Sequence, residues 1–241
     1  MIIDTHAHLD FLEESKLEII QSDPKIKAVI TNSVNLESCK KNLEISKKYS
    51  KIKLAAGLYP EEDLNLEKYK EFEKWVKDNK NSIIALGEIG LDKTEKLDFK
   101  IQKQIFIKQL ELTKKLNLPA IIHTRKAEKE VLEILENYKE LKIILHCFCG
   151  NFKLVKKAIE LGFYFSIPTN LSRSEHFQKL VKELPKENIL TETDSPYLSP
   201  FKDKQNEPAF IYESIKKIYE IWNISEEEVE KIIERNFNKI F

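Results

Sequence analysis

Short β-branched runs alternate with longer amphipathic segments along most of the chain. Apolar-rich runs at 2–5, 27–33, 52–57, 82–88, 120–123, 142–146, 163–167 and 188–194 have the length of buried parallel strands. Between them, segments near 13–22, 36–48, 66–79, 97–116, 126–139, 151–161 and 173–184 carry apolar residues at helical spacing. Two further helices, near 209–222 and 225–239, close the chain. Eight strands each followed by a helix, with no breaker-rich linker and no internal repeat, predict an α/β fold: a single (β/α)8 TIM barrel over residues 1–241 with extra C-terminal helices. A doubly wound open sheet shares this periodicity and is the alternative.

Composition narrows the class. The 241 residues are 41% hydrophobic, ordinary for a folded chain, and no run approaches the roughly 18 apolar residues of a membrane helix. The opening MIIDTHAHLD lacks both the basic and the apolar region of a signal peptide. Three cysteines, an odd number, argue against a disulfide framework and suit a reducing compartment, so the expected location is the cytoplasm. Cys147 and Cys149 form a lone C-x-C pair, too few ligands for a structural zinc site. Forty Lys+Arg balance forty Asp+Glu, so any hold on a polyanion must be local or supplied by bound cations.

Chemistry collects where strands end. Only five glycines occur, and four of them, at 57, 87, 90 and 150, lie at or just past the C-terminal end of a predicted strand, the face on which a barrel builds its active site. Four of five histidines sit in such places: His6 and His8 after the first strand, His123 after the fifth and His146 after the sixth. Glu88 ends the fourth strand and Asp194 the eighth; His176 falls in a helix and reads as surface. On extended chain, residues i and i+2 point the same way, so the H-x-H pair can meet one cation. Singly, each of these residues has an ordinary explanation as a satisfied polar group or a turn former. Together, four imidazoles and two carboxylates would repel and desolvate one another without a metal. Six ligands exceed one tetrahedral ion and suit two divalent ions sharing a carboxylate, with zinc, manganese, iron or magnesium compatible.

The ordered set MIIDTHAHLD, GLYP (57–60), GEIGLD (87–92), Q-x-x-x-F-x-x-Q-L (102–110), LPAIIHTR (118–125), HCFCG (146–150), TETDSPYL (191–198) and NEP (206–208) resembles the TatD-type metal-dependent hydrolases. The resemblance covers nearly the whole chain and implies an amidohydrolase-like barrel, a two-metal site and a divalent-cation-dependent deoxyribonuclease, often a 3′ exonuclease. It implies that His6 and His8 hold one metal and that Glu88 bridges to a second held by His123 and His146. Asp194 would bind the first metal and take the proton of the attacking water. Glu192 is expected on the same side of its strand as Asp194 and Asp4 on the side of His6; Asp10 is expected in the first loop near the site. Arg125 is a candidate for a phosphate oxygen or a rim ion pair. Phe148, Tyr59 and Tyr197 are candidates to stack on bases.

The sequence departs from the family pattern in three places. Tyr59 stands where a histidine is usual, Cys149 where a serine is common, and the stretch 201–205 is short and lacks a His-Arg-Gly element. None removes a metal ligand. The expected substrate is DNA, single-stranded or at its 3′ ends, with no membrane and no obligate protein partner. An acyl ester or amide hydrolase, such as an aminoacyl-tRNA deacylase, is the alternative on the same site. A non-catalytic metal-binding scaffold is the third reading, disfavoured by the complete ligand set.

Overall fold

The computed structural model describes residues 1–61 and 63–241. Eight strands form one sheet in chain order: β1 (Ile2–Ala7), β2 (Ile26–Asn32), β3 (Ile52–Ala56), β4 (Ile83–Asp92), β5 (Ala120–Arg125), β6 (Ile143–His146), β7 (Tyr164–Pro168) and β8 (Ile189–Glu192). The helices are α1 (Glu14–Ser22), α2 (Leu36–Lys48), α3 (Leu66–Asn79), α4 (Phe99–Leu116), α5 (Glu128–Leu135), α6 (Phe152–Glu160), α7 (Glu175–Glu183), α8 (Ile211–Trp222) and α9 (Glu226–Ile240). Neighbouring strands pair in parallel, which helical crossovers make possible. The first and last strands are also tied: Thr5 Oγ1 donates to Thr191 O at 2.9 Å and Thr191 Oγ1 to Ile3 O at 2.6 Å. Sequential strand order with β1 beside β8 is the (β/α)8 barrel, not the open sheet.

The chain comprises two compact units. The first contains Met1–Thr31, Glu44–Lys53 and Phe165–Phe241. Its helices α7, α8 and α9 pack through one buried face each, with Phe177, Leu180, Ile215, Ile218, Ile233 and Phe237 inside. α9 starts on a capping box in which Ser225 and Glu228 satisfy each other's backbone amides. Asn236 on α9 donates to Lys186 O and Ile189 O at 2.8 and 2.7 Å, fixing where β8 begins.

The second unit contains Asn32–Leu43 and Leu54–Tyr164. Leu54, Phe72, Val76, Leu86, Ile105 and Leu112 form the centre of its core. Side chains of Asn65 and Asp98 cap the starts of α3 and α4. Two buried glutamines on α4, seven residues and two helical turns apart, hold neighbouring loops by their backbone. Gln102 exchanges bonds with the amide and carbonyl of Asp92 at 3.0 and 2.9 Å, and Gln109 does the same for Leu58 at 2.9 and 3.0 Å.

Several boundaries differ from the sequence expectation. β4 runs on to Asp92 rather than stopping at Glu88, because residues 89–92 pair in register with 122–125 of β5. β8 stops at Glu192, two residues short of Asp194, for a reason that belongs to the site.

Candidate metal centre

In the first unit the site is built on the end of β1. Asp4 and His6 share a face of the strand, and both are fully buried. Asp4 Oδ1 accepts from the amides of His6 (3.1 Å) and Thr193 (2.9 Å), and its Oδ2 from Thr193 Oγ1 (2.5 Å). Burial pushes the Asp4 carboxyl up to about 8 against the pull of these bonds.

Beyond Thr193 the chain turns over β1. The Asp194 amide donates to His6 O at 2.8 Å, and the His8 amide to Ser195 O at 2.8 Å. Asp194 itself is left-handed, with φ of 60°, a conformation that Asp tolerates better than most residues. This turn ends β8, and it breaks the two-residue alternation. Asp194 therefore lies past the strand rather than on it, yet both carboxylates meet His6: a Glu192 oxygen lies within 4.8 Å of a His6 nitrogen, as an Asp194 oxygen does. Glu192 is buried in β8 and accepts from Ser166 on β7. Asn206 secures the turn from outside: its Nδ2 lies 2.7 Å from Thr193 O, 2.7 Å from Tyr197 O and 2.8 Å from Thr169 Oγ1.

The result is a triangle of ligand atoms. His6 Nε2 lies 3.4 Å from His8 Nε2 and 3.6 Å from Asp194 Oδ1, which is 3.4 Å from His8 Nε2. A cation at the centre of such a triangle is about 2.0 Å from each corner, the length of a bond from zinc to nitrogen or oxygen. The fit to a divalent ion is therefore good. His6 is sealed from solvent, whereas the His8 side chain is 7% and the Asp194 side chain 16% exposed, so Asp194 is the most open to water.

The second unit carries a triad of its own: Glu88, His123 and His146. Glu88 sits in a bulge, where three steps along β4, from Leu86 to Ile89, match two along β5. Gly57 permits the approach of β3, since a Cβ there would lie 2.4 Å from Glu88 O. Glu88 Oε1 lies 2.7 Å from His123 Nδ1 and 3.7 Å from His146 Nε2. The Nδ1 atom is buried. At this separation it and the carboxylate can share either a proton or a cation.

The other nitrogen of His123 has a different task. Nε2 lies 3.2 Å from Asp92 Oδ2, which also accepts from the Tyr59 hydroxyl at 2.6 Å. Asp92 Oδ1 takes the Thr94 amide and hydroxyl at 2.7 and 2.6 Å. Burial opposes the Asp92 charge, but the bonds from His123, Thr94 and Tyr59 prevail and hold it well below the usual carboxylate range. Burial and the Asp92 charge push the Tyr59 phenol up, so it stays a donor. For His123, burial favours the neutral ring, but Asp92 and Glu88 outweigh it and raise its basicity.

Other candidate residues are placed as follows. Asp10 is buried in a tight turn, Leu9–Phe11, just past His8. Arg125 ends β5 exposed, with no ion pair among the described residues, so the rim salt bridge is not formed. Tyr59 spends its hydroxyl on Asp92 and its ring packs 4.8 Å from His123. Phe148 is fully buried and cannot stack on a base, because its ring lies under Gly150. Tyr197 is 55% exposed. His176 is half-buried on α7, its ring against Phe177. The sequence reading missed Asp92, Gln102, Gln109 and Asn206 as functional supports, although all four lie in the motifs that carry the resemblance.

A (β/α)8 barrel with His/carboxylate triads at its strand ends defines a metal-dependent hydrolase. The chain belongs to the TatD related DNase family, whose model matches residues 3–241. It is 35% identical over 246 residues to an uncharacterized metal-dependent hydrolase of Methanocaldococcus jannaschii, covering 99% of this chain and 96% of that one. It is 31% identical over 264 residues to deoxyribonuclease TATDN3 of Homo sapiens, covering 100% and 94%. The crystal structure of the TatD homolog YJJV from Escherichia coli superposes with a TM-score of 0.90 at 23% identity, over 100% of this chain and 97% of that one. Among the described residues no helix is long and apolar enough to cross a membrane.

Proposed function

We propose that the chain is a divalent-metal-dependent deoxyribonuclease that removes nucleotides from the 3′ end of DNA, with residues 1–241 acting as one hydrolase domain. The observation that carries this reading is the His6–His8–Asp194 triangle, whose edges of 3.4–3.6 Å fit a cation and whose carboxylate is its most exposed member. The name of the human relative, deoxyribonuclease, supports DNA as the substrate.

His6, His8 and Asp194 would hold one divalent ion, and Glu88, His123 and His146 a second; zinc and manganese suit these donors, and magnesium is the candidate that would lean on the carboxylates and water. Such ions supply Lewis-acid charge to phosphoryl oxygens and make a nearby water more acidic. Asp194 would orient a water and take its proton as the water oxygen bonds to phosphorus and the ester P–O bond on the opposite side breaks, the departing oxygen ending with the proton. Asp4 and Glu192 hold β1 and β8 in place beneath it. Asp92 fixes the His123 ring so that Nδ1 faces its ligand position. Arg125, exposed and without an ion pair among the described residues, binds a phosphate oxygen with its planar fork. Bound cations and a few local side chains suffice for an end-gripping enzyme of zero net charge. The three cysteines form no disulfide among the described residues, which fits a reducing compartment such as the cytoplasm.

The test uses chelator-stripped protein and a 5′-labelled single-stranded oligonucleotide, with Mg²⁺, Mn²⁺ or Zn²⁺ restored and Asp194→Asn prepared in parallel. A metal-dependent ladder shortening from the 3′ end, absent in the variant, is expected. No cleavage by metal-loaded wild type, with aminoacyl-tRNA hydrolysed instead, would overturn the nuclease reading.

A further inference from the structure

The loop after β6 carries two thiols that the hydrolytic chemistry does not use. Cys147 and Cys149 follow the proposed ligand His146, and the residue between them points inward. Phe148 is fully buried beneath Gly150, where a Cβ would lie 2.5 Å from its ring. Its neighbours are left toward the surface, Cys147 half-buried and Cys149 exposed. The backbone at Cys147 is left-handed, with φ of 42°, so the chain bends sharply between the two thiols. Cys149 Sγ lies 3.3 Å from Cys147 O, and its sulfur therefore rests over the residue that bears the other thiol. The third cysteine, Cys39, is sealed in the core with its sulfur 3.8 Å from Gly57 O.

These features select one chemistry. No His, Cys, Asp or Glu among the described residues completes a three-ligand group with the pair, which argues against a further metal site. A disulfide needs only the two sulfurs. One residue apart in the chain, they meet each other far more often than either meets a thiol from solution. The exposed Cys149 is the one that an oxidant reaches first, and in a reducing compartment such a disulfide forms transiently. Ring closure draws the two Cβ atoms to about 3.5–4.5 Å and so fixes the backbone on both sides of Phe148. His146 is bonded directly to this segment, and its Nε2 stands 3.7 Å from Glu88 Oε1 in the second triad.

We propose that Cys147 and Cys149 are a peroxide-sensitive thiol pair, and that their closure to a disulfide loosens the hold of His146 on the second ion. The Cys149 sulfur attacks a hydroperoxide: an S–O bond forms, the O–O bond breaks, and the leaving oxygen departs as water with the thiol proton. The Cys147 sulfur then attacks the sulfenic sulfur, forming S–S and breaking S–O, and a second water leaves with the Cys147 proton. Two thiols lose two electrons and one hydrogen peroxide becomes two waters. The loosening rests on the reading that Glu88, His123 and His146 hold an ion; the disulfide does not.

The test treats the reduced, zinc-loaded full chain with hydrogen peroxide, then alkylates the remaining thiols after denaturation and digests with trypsin. Residues 143–153 leave as one peptide bearing both thiols, and Cys39 leaves separately in residues 28–40. The first peptide should lose two hydrogens and resist alkylation until a phosphine reductant is added, while Cys39 stays alkylatable. Cys147→Ser should stop at the sulfenic acid, which dimedone traps on Cys149; Cys149→Ser should give neither disulfide nor dimedone adduct. Chelator competition follows the metal. In wild type, peroxide should weaken one binding event by about tenfold or more and the reductant should restore it, whereas Cys149→Ser should bind equally before and after peroxide. Sulfinic acid or a disulfide between two chains, in place of the bond within the loop, overturns the proposal. So does a loop disulfide that leaves metal affinity unchanged. If the reduced protein binds no second ion, the two-metal reading and the loosening fall together, and the mass shift alone decides the thiol pair.

Discussion

Asp92 Oδ2 lies 3.2 Å from His123 Nε2, while the opposite ring nitrogen faces Glu88 Oε1 at 2.7 Å. A carboxylate there favours a proton on Nε2, which would leave the other nitrogen's lone pair for a cation. Second carboxylates of this kind typically alter metal affinity by about 10–100-fold. Asp92→Asn keeps the shape but loses the charge, and it should weaken the tighter or weaker of two metal-binding events by that factor in a chelator-competition titration. Tyr59→Phe removes one of four bonds to the same carboxylate and should have a smaller effect. Unchanged metal affinity in Asp92→Asn would show that His123 is oriented by packing alone.

The approach of β3 to Glu88 gives a second expectation. A Cβ on Gly57 would lie 2.4 Å from Glu88 O and 2.6 Å from Glu88 N. Gly57→Ala must therefore displace the backbone of a proposed ligand, at a cost of about 1–3 kcal/mol. The melting temperature should fall by roughly 2–4 °C per kcal/mol, and the bound metal per chain should fall with it. Gly162→Ala is the contrast: φ of 78° makes the substitution strained, yet nothing lies within 4 Å of the new atom. It should lose about 1 kcal/mol of stability and no metal. Equal metal loss in both variants, measured by elemental analysis, would remove the special role of Gly57.

Much of this was legible in the chain. The succession of strands and helices followed from periodicity, though not their order in the sheet, and the ligand candidates stood out because scarce histidines and glycines fell at strand ends. Asp92 was not singled out, since its role comes from pairing β4 with β5 beyond Glu88, and a six-residue motif says nothing about how far a ladder extends. Gln102 and Gln109 look like polar positions on an amphipathic helix until the loops they hold are seen. The alternation rule placed Glu192 and Asp194 on one strand; both carboxylates do meet His6, but Asp194 reaches it from a turn with positive φ beyond the strand's end. Backbone inversion at an aspartate leaves almost no trace in sequence, because Asp is common in both states.

Asn206 offers a test of that inverted turn. Its amide faces three oxygens, those of Thr193, Tyr197 and Thr169, and is buried. Asn206→Leu leaves these groups without a donor, which costs about 1–3 kcal/mol for buried acceptors. If the turn fixes Asp194, turnover should drop by more than the stability loss explains, at temperatures where the variant remains fully folded. Wild-type turnover in a folded Asn206→Leu protein would mean that the Asp194 amide bond to His6 O holds the turn unaided.

Asp194→Asn separates two roles that one carboxylate combines. As a ligand, the amide oxygen is a neutral and weaker donor, so metal binding should weaken, and raising the metal concentration should restore occupancy. As a proton acceptor, the amide is useless at any metal concentration. General-base contributions are typically 10²–10⁴-fold, so turnover at saturating metal should stay lower by about that factor. The geometry favours this split: Asp194 Oδ1 closes the triangle with His6 and His8, while the side chain remains 16% exposed and open to water. The decisive measurement is turnover against metal concentration for both proteins, with occupancy followed independently. A variant that regains wild-type turnover once its metal is restored would make Asp194 a ligand only, and the proton would have to leave through another group.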